Sequence, residues 1–154
     1  GGSVNSTSDP IAGTDQDALF QTERYGNYTY EVPVSNATYD LRLFFNELYQ
    51  TAAGARIFSL SVEGRPVFAD IDLFTQVGHD TAYERTIKGV QVADGSLTIT
   101  LTASVDSATL AGFAVFSDTG ELQEPTFTIV RVMSSRRCTA RTVPGRSPST
   151  RSVA

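Results

Sequence analysis

The chain has 154 residues with 40% hydrophobic side chains, and its 17 acidic and 12 basic residues leave a formal net charge of −5. This length fits one domain with a buried core, and no apolar run reaches the roughly 18 residues of a membrane-spanning helix. The acidic balance argues against a nucleic-acid-binding surface, because each phosphate contact requires a cation.

The charges divide the chain into unlike parts. Residues 1–124 contain 17 acidic and 6 basic side chains, a net of −11, whereas residues 125–154 contain 6 arginines and no acid, a net of +6. Residues 126–133 could add a strand. From Ser134 onward the sequence has no periodic apolar residues, so it cannot bury enough apolar surface to offset the conformational entropy lost on ordering. We predict a loop remnant at residues 1–18, a β-sandwich at 19–117, and a linker with a disordered basic tail at 118–154.

Residues 39–49 carry the clearest strand pattern. Tyr39, Leu41, Leu43 and Phe45 alternate with Asp40, Arg42, Phe44 and Asn46, a period of two that is typical of a strand with one face in a core. The alternation stops at Glu47-Leu48-Tyr49 and a small Gly-containing segment follows. This strand therefore delivers a carboxylate and an aromatic ring to a loop.

Six other segments have strand character, at residues 28–32, 56–63, 66–72, 83–92, 96–103 and 110–116. Turn signals separate them, among them Gly26-Asn27, Ser35-Asn36-Ala37, Gly64-Arg65 and Asp94-Gly95. The Asn36 turn predicts a hairpin between the strands at 28–32 and 39–46, and Asp94-Gly95 predicts another. The fold class is therefore all-β, an antiparallel β-sandwich of jelly-roll type.

Two tyrosines stand at the ends of elements. Tyr25 and Tyr49 could stack on the C–H face of a sugar ring while their hydroxyls hydrogen-bond to it, or they could be rim residues of the core. Carboxylates that could bind sugar hydroxyls are Glu47, Asp70, Asp72, Asp80 and Asp106. Glu47 is two residues after Phe45 and so lies on the same face of the strand. The alternative to a sugar contact is therefore that Glu47 points inward and accepts backbone N–H groups.

Enzymatic and metal sites are weakly supported. A glycoside hydrolase needs two acids about 5–10 Å apart across a cleft, and nothing in the sequence pairs two acids in that way. Asp70-Ile71-Asp72 with His79 and Asp80 lacks the spacing of a calcium-binding loop. The single cysteine, Cys138, excludes an internal disulfide. We predict no catalytic residue, no metal and no cofactor.

Several motifs together resemble the malectin domain. They are Leu19-Phe20-Gln21-Thr22-Glu23-Arg24-Tyr25, Tyr30-Glu31-Val32-Pro33, Phe45-Asn46-Glu47-Leu48-Tyr49, Arg56-Ile57-Phe58, Val62-Glu63-Gly64, Asp70-Ile71-Asp72-Leu73-Phe74 and Val77-Gly78-His79-Asp80-Thr81-Ala82. The resemblance covers residues 3–116 in the right order. It also indicates that the chain starts downstream of the family's first strand, as an N-terminally truncated copy.

The resemblance implies a lectin fold without enzymatic activity and places sugar contacts at Tyr25, Tyr49 and Asp106. Gln50 stands where the family has a second aromatic residue, and Asn5 aligns with a further family tyrosine. We predict a carbohydrate-binding module for glucose-containing oligosaccharides, with Tyr25 and Tyr49 stacking on the ring and Asp106 and Gln50 bonding its hydroxyls. The alternatives are a structural or protein-interaction module with a degenerate sugar site, and an appended module of a glycoside hydrolase.

The same resemblance sets the expected context of the chain. It implies an extracellular or cell-surface location, with the lumen of the endoplasmic reticulum as the alternative. The expected partner is an oligosaccharide or glycan, not a nucleic acid, and the module is expected to be part of a larger multidomain protein.

Overall fold

The computed structural model describes residues 1–117 and the backbone of two later strands. The strands are β1 Ser3–Ser6, β2 Thr22–Tyr25, β3 Tyr28–Pro33, β4 Ala37–Phe45, β5 Ile57–Val62, β6 Arg65–Ile71, β7 Tyr83–Val92, β8 Ser96–Val105, β9 Thr109–Leu110, β10 Gly112–Ser117, β11 Phe127–Arg131 and β12 Arg141–Val143. In the described part of the chain, two short helices, α1 Asp17–Phe20 and α2 Leu73–Val77, lie between the strands. The all-β prediction is confirmed.

The strands form three antiparallel sheets. A five-stranded sheet has the order β12-β11-β10-β4-β7, a four-stranded sheet has the order β3-β8-β5-β6, and a small sheet has the order β1-β2-β9. The first two sheets share one hydrophobic core, with side chains contributed by strands of both. The small sheet is built from the N-terminal strands and from β9, which immediately precedes β10 in the chain.

The core follows the alternation read from the sequence. Tyr39, Leu41, Leu43 and Phe45 of β4 are buried, as are Phe58, Leu60 and Val62 of β5 and Leu97, Ile99 and Leu101 of β8. Aromatic contacts join the two large sheets: the ring centroids of Phe45 and Phe58 lie 6.0 Å apart, and those of Tyr30 and Phe113 lie 5.2 Å apart. The sandwich is therefore held by interleaved aromatic and aliphatic side chains from both layers.

Both predicted hairpins are wrong. Strand β3 pairs with β8, whereas β4 pairs with β7 and β10, so the turn at Asn36 carries the chain from one sheet to the other. The Asp94-Gly95 turn makes a second crossing, from β7 to β8. The Asn36 amide joins the two crossings by donating to the carbonyl of Ala93 at 2.9 Å. A strand can bury its apolar face whether the preceding turn leads to the opposite sheet or to a neighbouring position in the same sheet, because both sheets face the same core.

The third predicted turn is present, displaced by one residue. Strand β5 ends at Val62, which is in register with Arg65 at the start of β6, so Glu63 and Gly64 form the two-residue turn. Their φ angles are 50° and 68°. Two consecutive left-handed residues are what a type I′ hairpin turn requires, and its twist matches that of the flanking strands.

The N-terminal segment departs from the predicted loop. Strand β1 pairs with β2 along its whole length, and Ile11 and Phe20 are buried against Phe44 on the outer side of the five-stranded sheet. The Phe20 and Phe44 rings meet edge to face with centroids 5.9 Å apart. This second small core explains why Phe44 is buried although it points away from the main core.

The C-terminal segment is described only in part. Strand β11 confirms the strand predicted within residues 126–133, and it pairs with β10. Strand β12 is a correction, because it falls inside the tail predicted to be disordered. The rest of that predicted linker and tail, residues 118–126, 132–140 and 144–154, lies outside the described residues. Within the described residues, the helices have four and five residues, and neither could cross a lipid bilayer.

Candidate functional site

A cavity of about 330 Å³ lies where the small sheet meets the segments that follow β4 and β8. Its walls are Asn5, Glu23, Tyr25, Tyr49, Arg56, Asp106 and Ser107. Tyr25 is 36% exposed and Tyr49 is 71% exposed. Three of the four predicted site residues, Tyr25, Tyr49 and Asp106, therefore line one cavity, although they are far apart in the sequence.

The backbone holds the two tyrosines in different ways. Tyr25 is the last residue of β2 and is paired with Ser3 on one side and Thr109 on the other. Tyr49 lies in the loop after β4, where Glu47 Oε1 accepts its backbone N–H at 3.0 Å and that of Gln50 at 2.8 Å. Glu47 is fully buried, so the inward alternative for this residue is confirmed.

Arg56 connects the two walls of the cavity. Its Nε donates to Glu47 Oε2 at 2.7 Å, and its Nη1 donates to the carbonyl of Ser107 at 2.9 Å. Its Nη2 lies 3.8 Å from Asp106 Oδ2, longer than a hydrogen bond. Arg56 is 3% exposed. This buried ion pair fixes the Tyr49 loop relative to the Asp106 loop.

Asp106 occupies a left-handed backbone position between β8 and β9. Its φ is 58°, a conformation that Asp and Asn tolerate better than most residues. Gln50 Nε2 donates to Asp106 Oδ2 at 3.1 Å. Gln50, the fourth predicted site residue, is not a wall of the cavity and reaches the site through this hydrogen bond.

Glu23 lies at the cavity although it is 1% exposed. Asn5 Nδ2 from β1 donates to its Oε1 at 3.2 Å, and Thr109 Oγ1 from β9 donates to its Oε2. One carboxyl group thus ties together the three strands of the small sheet. Burial raises the pKa of Glu23 above its ordinary value of 4.5, and the hydrogen bonds from Thr109 and Asn5 oppose that rise.

Sequence reasoning missed Glu23, Arg56 and Ser107 as walls of the site. Glu23 and Tyr25 are two residues apart in β2 and therefore lie on the same face of the strand. An acid and an aromatic residue on one strand face could have indicated that Glu23 belongs to the site. Arg56 carried no such signal, because its partner Glu47 lies nine residues away across an irregular loop.

The raised pKa of Glu23 gives a prediction for stability. A group whose pKa is raised by folding adds stability at low pH, and this contribution is lost as the pH rises through the folded-state pKa. Glu23→Gln removes the ionisable group; its Oε1 can still accept from Asn5, and its Nε2 can donate to Thr109 Oγ1 in place of the bond that Thr109 donates to Glu23. We expect its melting temperature, relative to wild type, to be higher at pH 7.5 than at pH 4.5, as measured by circular dichroism.

The matched variant Glu23→Ala removes the acceptor for both Asn5 and Thr109, so it should destabilise the protein at both pH values, by about 1–3 kcal/mol. An equal loss of stability for Glu23→Gln at pH 4.5 and pH 7.5 would show that ionisation of Glu23 does not affect folding.

Among the residues considered for a metal site, Asp72, His79 and Asp80 have partners within the protein. Asp72 caps α2 by accepting the backbone N–H of Thr75 at 3.0 Å, and its other oxygen accepts the N–H of Gly54 at 2.7 Å. Hydrogen bonds, first from the Thr75 side chain, lower the pKa of Asp72. His79 Nδ1 lies 2.8 Å from Asp80 Oδ2. In the part of the chain that the structure describes, no three His, Cys, Asp or Glu side chains form a group that could hold a metal ion.

Comparison with known proteins shows the family of this chain. The family model for the malectin domain matches residues 2–122. The chain belongs to the malectin-domain family. Malectin of Mus musculus is 38% identical over 84 residues, which are 53% of this chain and 28% of the mouse protein. This malectin domain therefore spans less than a third of that relative.

Two solved structures share the fold of the malectin domain. A β-glucuronidase of Bacteroides uniformis superposes with a TM-score of 0.68 at 19% identity, over 75% of this chain and 13% of the enzyme. The extracellular domain of ANXUR1 from Arabidopsis thaliana superposes with a TM-score of 0.66 at 17% identity, over 75% of this chain and 38% of that chain. At these identities the likeness concerns the fold alone.

Proposed function

We propose that this malectin domain is a non-catalytic carbohydrate-binding module that binds glucose-containing oligosaccharides in the cavity between Tyr25, Tyr49 and Asp106. One observation carries the proposal: two exposed tyrosines from separate segments and a partly exposed carboxylate line the same cavity. Membership of the malectin-domain family supports it.

The chemistry of the walls suits a sugar ring. Tyrosine rings stack on C–H faces, and they lose little conformational entropy when they bind. The Asp106 carboxylate can accept hydrogen bonds from sugar hydroxyls, while the Gln50 amide that contacts it is placed to take part in the same network. A cavity of about 330 Å³ is at the small end of the range for ligand pockets, which suits one or two sugar rings.

The acids at this site support binding and not hydrolysis. Each oxygen of Glu23 accepts a hydrogen bond from a neighbouring strand, and Glu47 is occupied by two backbone N–H groups and Arg56. A retaining or inverting hydrolase needs two carboxyl groups free to face the glycosidic bond. Glu23 and Glu47 instead hold the walls of the cavity in place.

The context of the module belongs to the same proposal. We place it in an extracellular or cell-surface protein, or in the lumen of the endoplasmic reticulum, as part of a larger protein. Membership of the malectin-domain family carries this expectation, and the match over 28% of mouse malectin is consistent with a longer parent chain.

The proposal is tested by calorimetric titration of a glucose disaccharide into wild type and Tyr49→Ala. A lost stacking contact removes about 0.5–1.5 kcal/mol, or roughly two- to tenfold in affinity. We expect Tyr49→Ala to weaken binding to that extent, and the double variant with Tyr25→Ala to abolish measurable heat.

Two control variants separate stacking from other effects. Tyr49→Phe keeps the ring and loses the hydroxyl, so it should bind more tightly than Tyr49→Ala. Thr51→Ala changes an exposed residue of the same loop and should bind as wild type does. Equal heat from wild type and Tyr49→Ala would contradict the proposed site. A glycan array without binding to any glucose-containing ligand would favour the protein-interaction alternative.

A further inference from the structure

The charges at the cavity are unbalanced. Of its charged walls, Glu23 and Asp106 are acids and Arg56 is a base. Arg56 is committed to Glu47, because its Nε contacts that carboxylate at 2.7 Å while both side chains are buried. Arg56 Nη2 also lies 3.8 Å from Asp106, so one positive charge faces two carboxylates, and the three groups together carry a net charge of −1. Glu23 adds a second negative charge when it ionises.

The other basic side chains of residues 1–117 are not among the residues that line the cavity. Arg24 lies over the rings of Tyr28 and Tyr30, and Arg85 lies over those of Phe68 and Tyr83. The remaining three are Arg42, paired with Glu84, Lys88, paired with Asp40, and Arg65, which lines a separate groove formed by β6 and β7. Within residues 1–117, 14 acids against 6 bases give a net of −8.

We propose that the cavity selects saccharides by charge: it accepts neutral sugars and amino sugars, and it rejects sugars that carry a carboxylate or a sulfate. This inference rests on the proposed function of the same cavity. An anion beside Asp106 is repelled in a partly dehydrated site. The positive charge of Arg56 is already balanced by Glu47 and Asp106, so an added anion would exceed the positive charge available at the cavity.

The test uses three disaccharides of one linkage whose terminal rings are glucose, glucuronic acid and glucosamine, titrated at pH 6 where the amine is protonated. For wild type we expect the glucuronic acid disaccharide to bind at least about tenfold more weakly than the glucose disaccharide. We expect the glucosamine disaccharide to bind at least as tightly as the glucose disaccharide. Raising the salt concentration should narrow both differences, since it screens exposed charges.

Asp106→Asn is the matched variant. Asn tolerates the left-handed backbone at this position, and its side-chain oxygen can still accept the hydrogen bond from Gln50. Measured relative to the glucose disaccharide in the same protein, the variant should bind the glucuronic acid disaccharide better than wild type does, and the glucosamine disaccharide less well. That reversal would assign the selectivity to the charge of Asp106.

The possible failures are distinguishable. If the glucuronic acid disaccharide binds as tightly as the glucose disaccharide or more tightly, charge selection is wrong and the proposed carbohydrate site is retained. Arg56 would then be the group that binds the carboxylate. An unchanged preference in Asp106→Asn would also overturn it. Absence of binding for all three disaccharides would overturn both the charge selection and the proposed function.

Discussion

Arg56→Met is expected to lower the free energy of unfolding by about 3–5 kcal/mol, because it leaves the Glu47 carboxylate buried without its charged partner. Arg56 and Glu47 are 3% and 0% exposed and their charged atoms lie 2.7 Å apart. The loss should also free the Tyr49 loop, whose backbone N–H groups are held by the same Glu47. Equilibrium urea denaturation measures the change.

Two control variants isolate the buried charge. Arg42→Met removes the same kind of side chain from an exposed ion pair with Glu84 and should cost no more than about 1 kcal/mol. The double variant Arg56→Met with Glu47→Gln removes both charges, so it should be more stable than Arg56→Met alone. If Arg56→Met were no more destabilising than Arg42→Met, the ion pair would not be holding the walls of the cavity.

Phe113→Ala is expected to destabilise the protein by about 3–5 kcal/mol, the usual range for truncating a buried phenylalanine. Phe113 of β10 is fully buried, and its ring contacts Tyr30 of β3 with centroids 5.2 Å apart. The substitution therefore opens a cavity between the two large sheets. Thermal or urea denaturation gives the magnitude.

Phe113→Leu and Val105→Ala are the controls for the loss of stability expected in Phe113→Ala. Phe113→Leu retains most of the buried apolar surface, so its loss of stability should lie between wild type and Phe113→Ala. Val105 is 40% exposed at the end of β8, and Val105→Ala should change stability by no more than about 0.5 kcal/mol. A loss below about 1 kcal/mol for Phe113→Ala would mean that this contact does not join the layers.

The positions of the strands in the main core could be read from the sequence. Alternating apolar residues such as Leu41, Leu43 and Phe45 report directly which side chains face a core, because the strand period is two. The pairing of those strands could not be read in the same way. Asn36 and Asp94-Gly95 are good turn residues, and a turn that joins neighbours in one sheet uses the same residues as a turn that crosses to the other sheet.

The N-terminal region shows another limit. Its polar composition predicts a loop, but β1 is stabilised by pairing with β2, and Ile11 and Phe20 by packing on Phe44. These are contacts between distant parts of the chain. Local composition carries no information about a strand whose order comes from its neighbour.

The candidate site was predictable where side chains are exposed and the family resemblance could be applied. Tyr25, Tyr49 and Asp106 do lie together at one cavity. The buried polar groups that place them, Glu23 and Arg56, were not predicted, because burial of a charge depends on a partner that folding brings within reach. The sequence thus indicated residues that line the cavity, and the structure adds the buried polar network that supports them.

The most direct measurement of the carbohydrate site is a titration of the ¹⁵N-labelled protein with a glucose disaccharide, followed by amide chemical shifts. We expect concentration-dependent shifts at Tyr25, Tyr49, Gln50 and Asp106. Val67 and Ile87, which line the separate groove formed by β6 and β7, should not shift. Shifts confined to that groove, or no shifts with saturating disaccharide, would contradict the assignment of the cavity as a sugar-binding site.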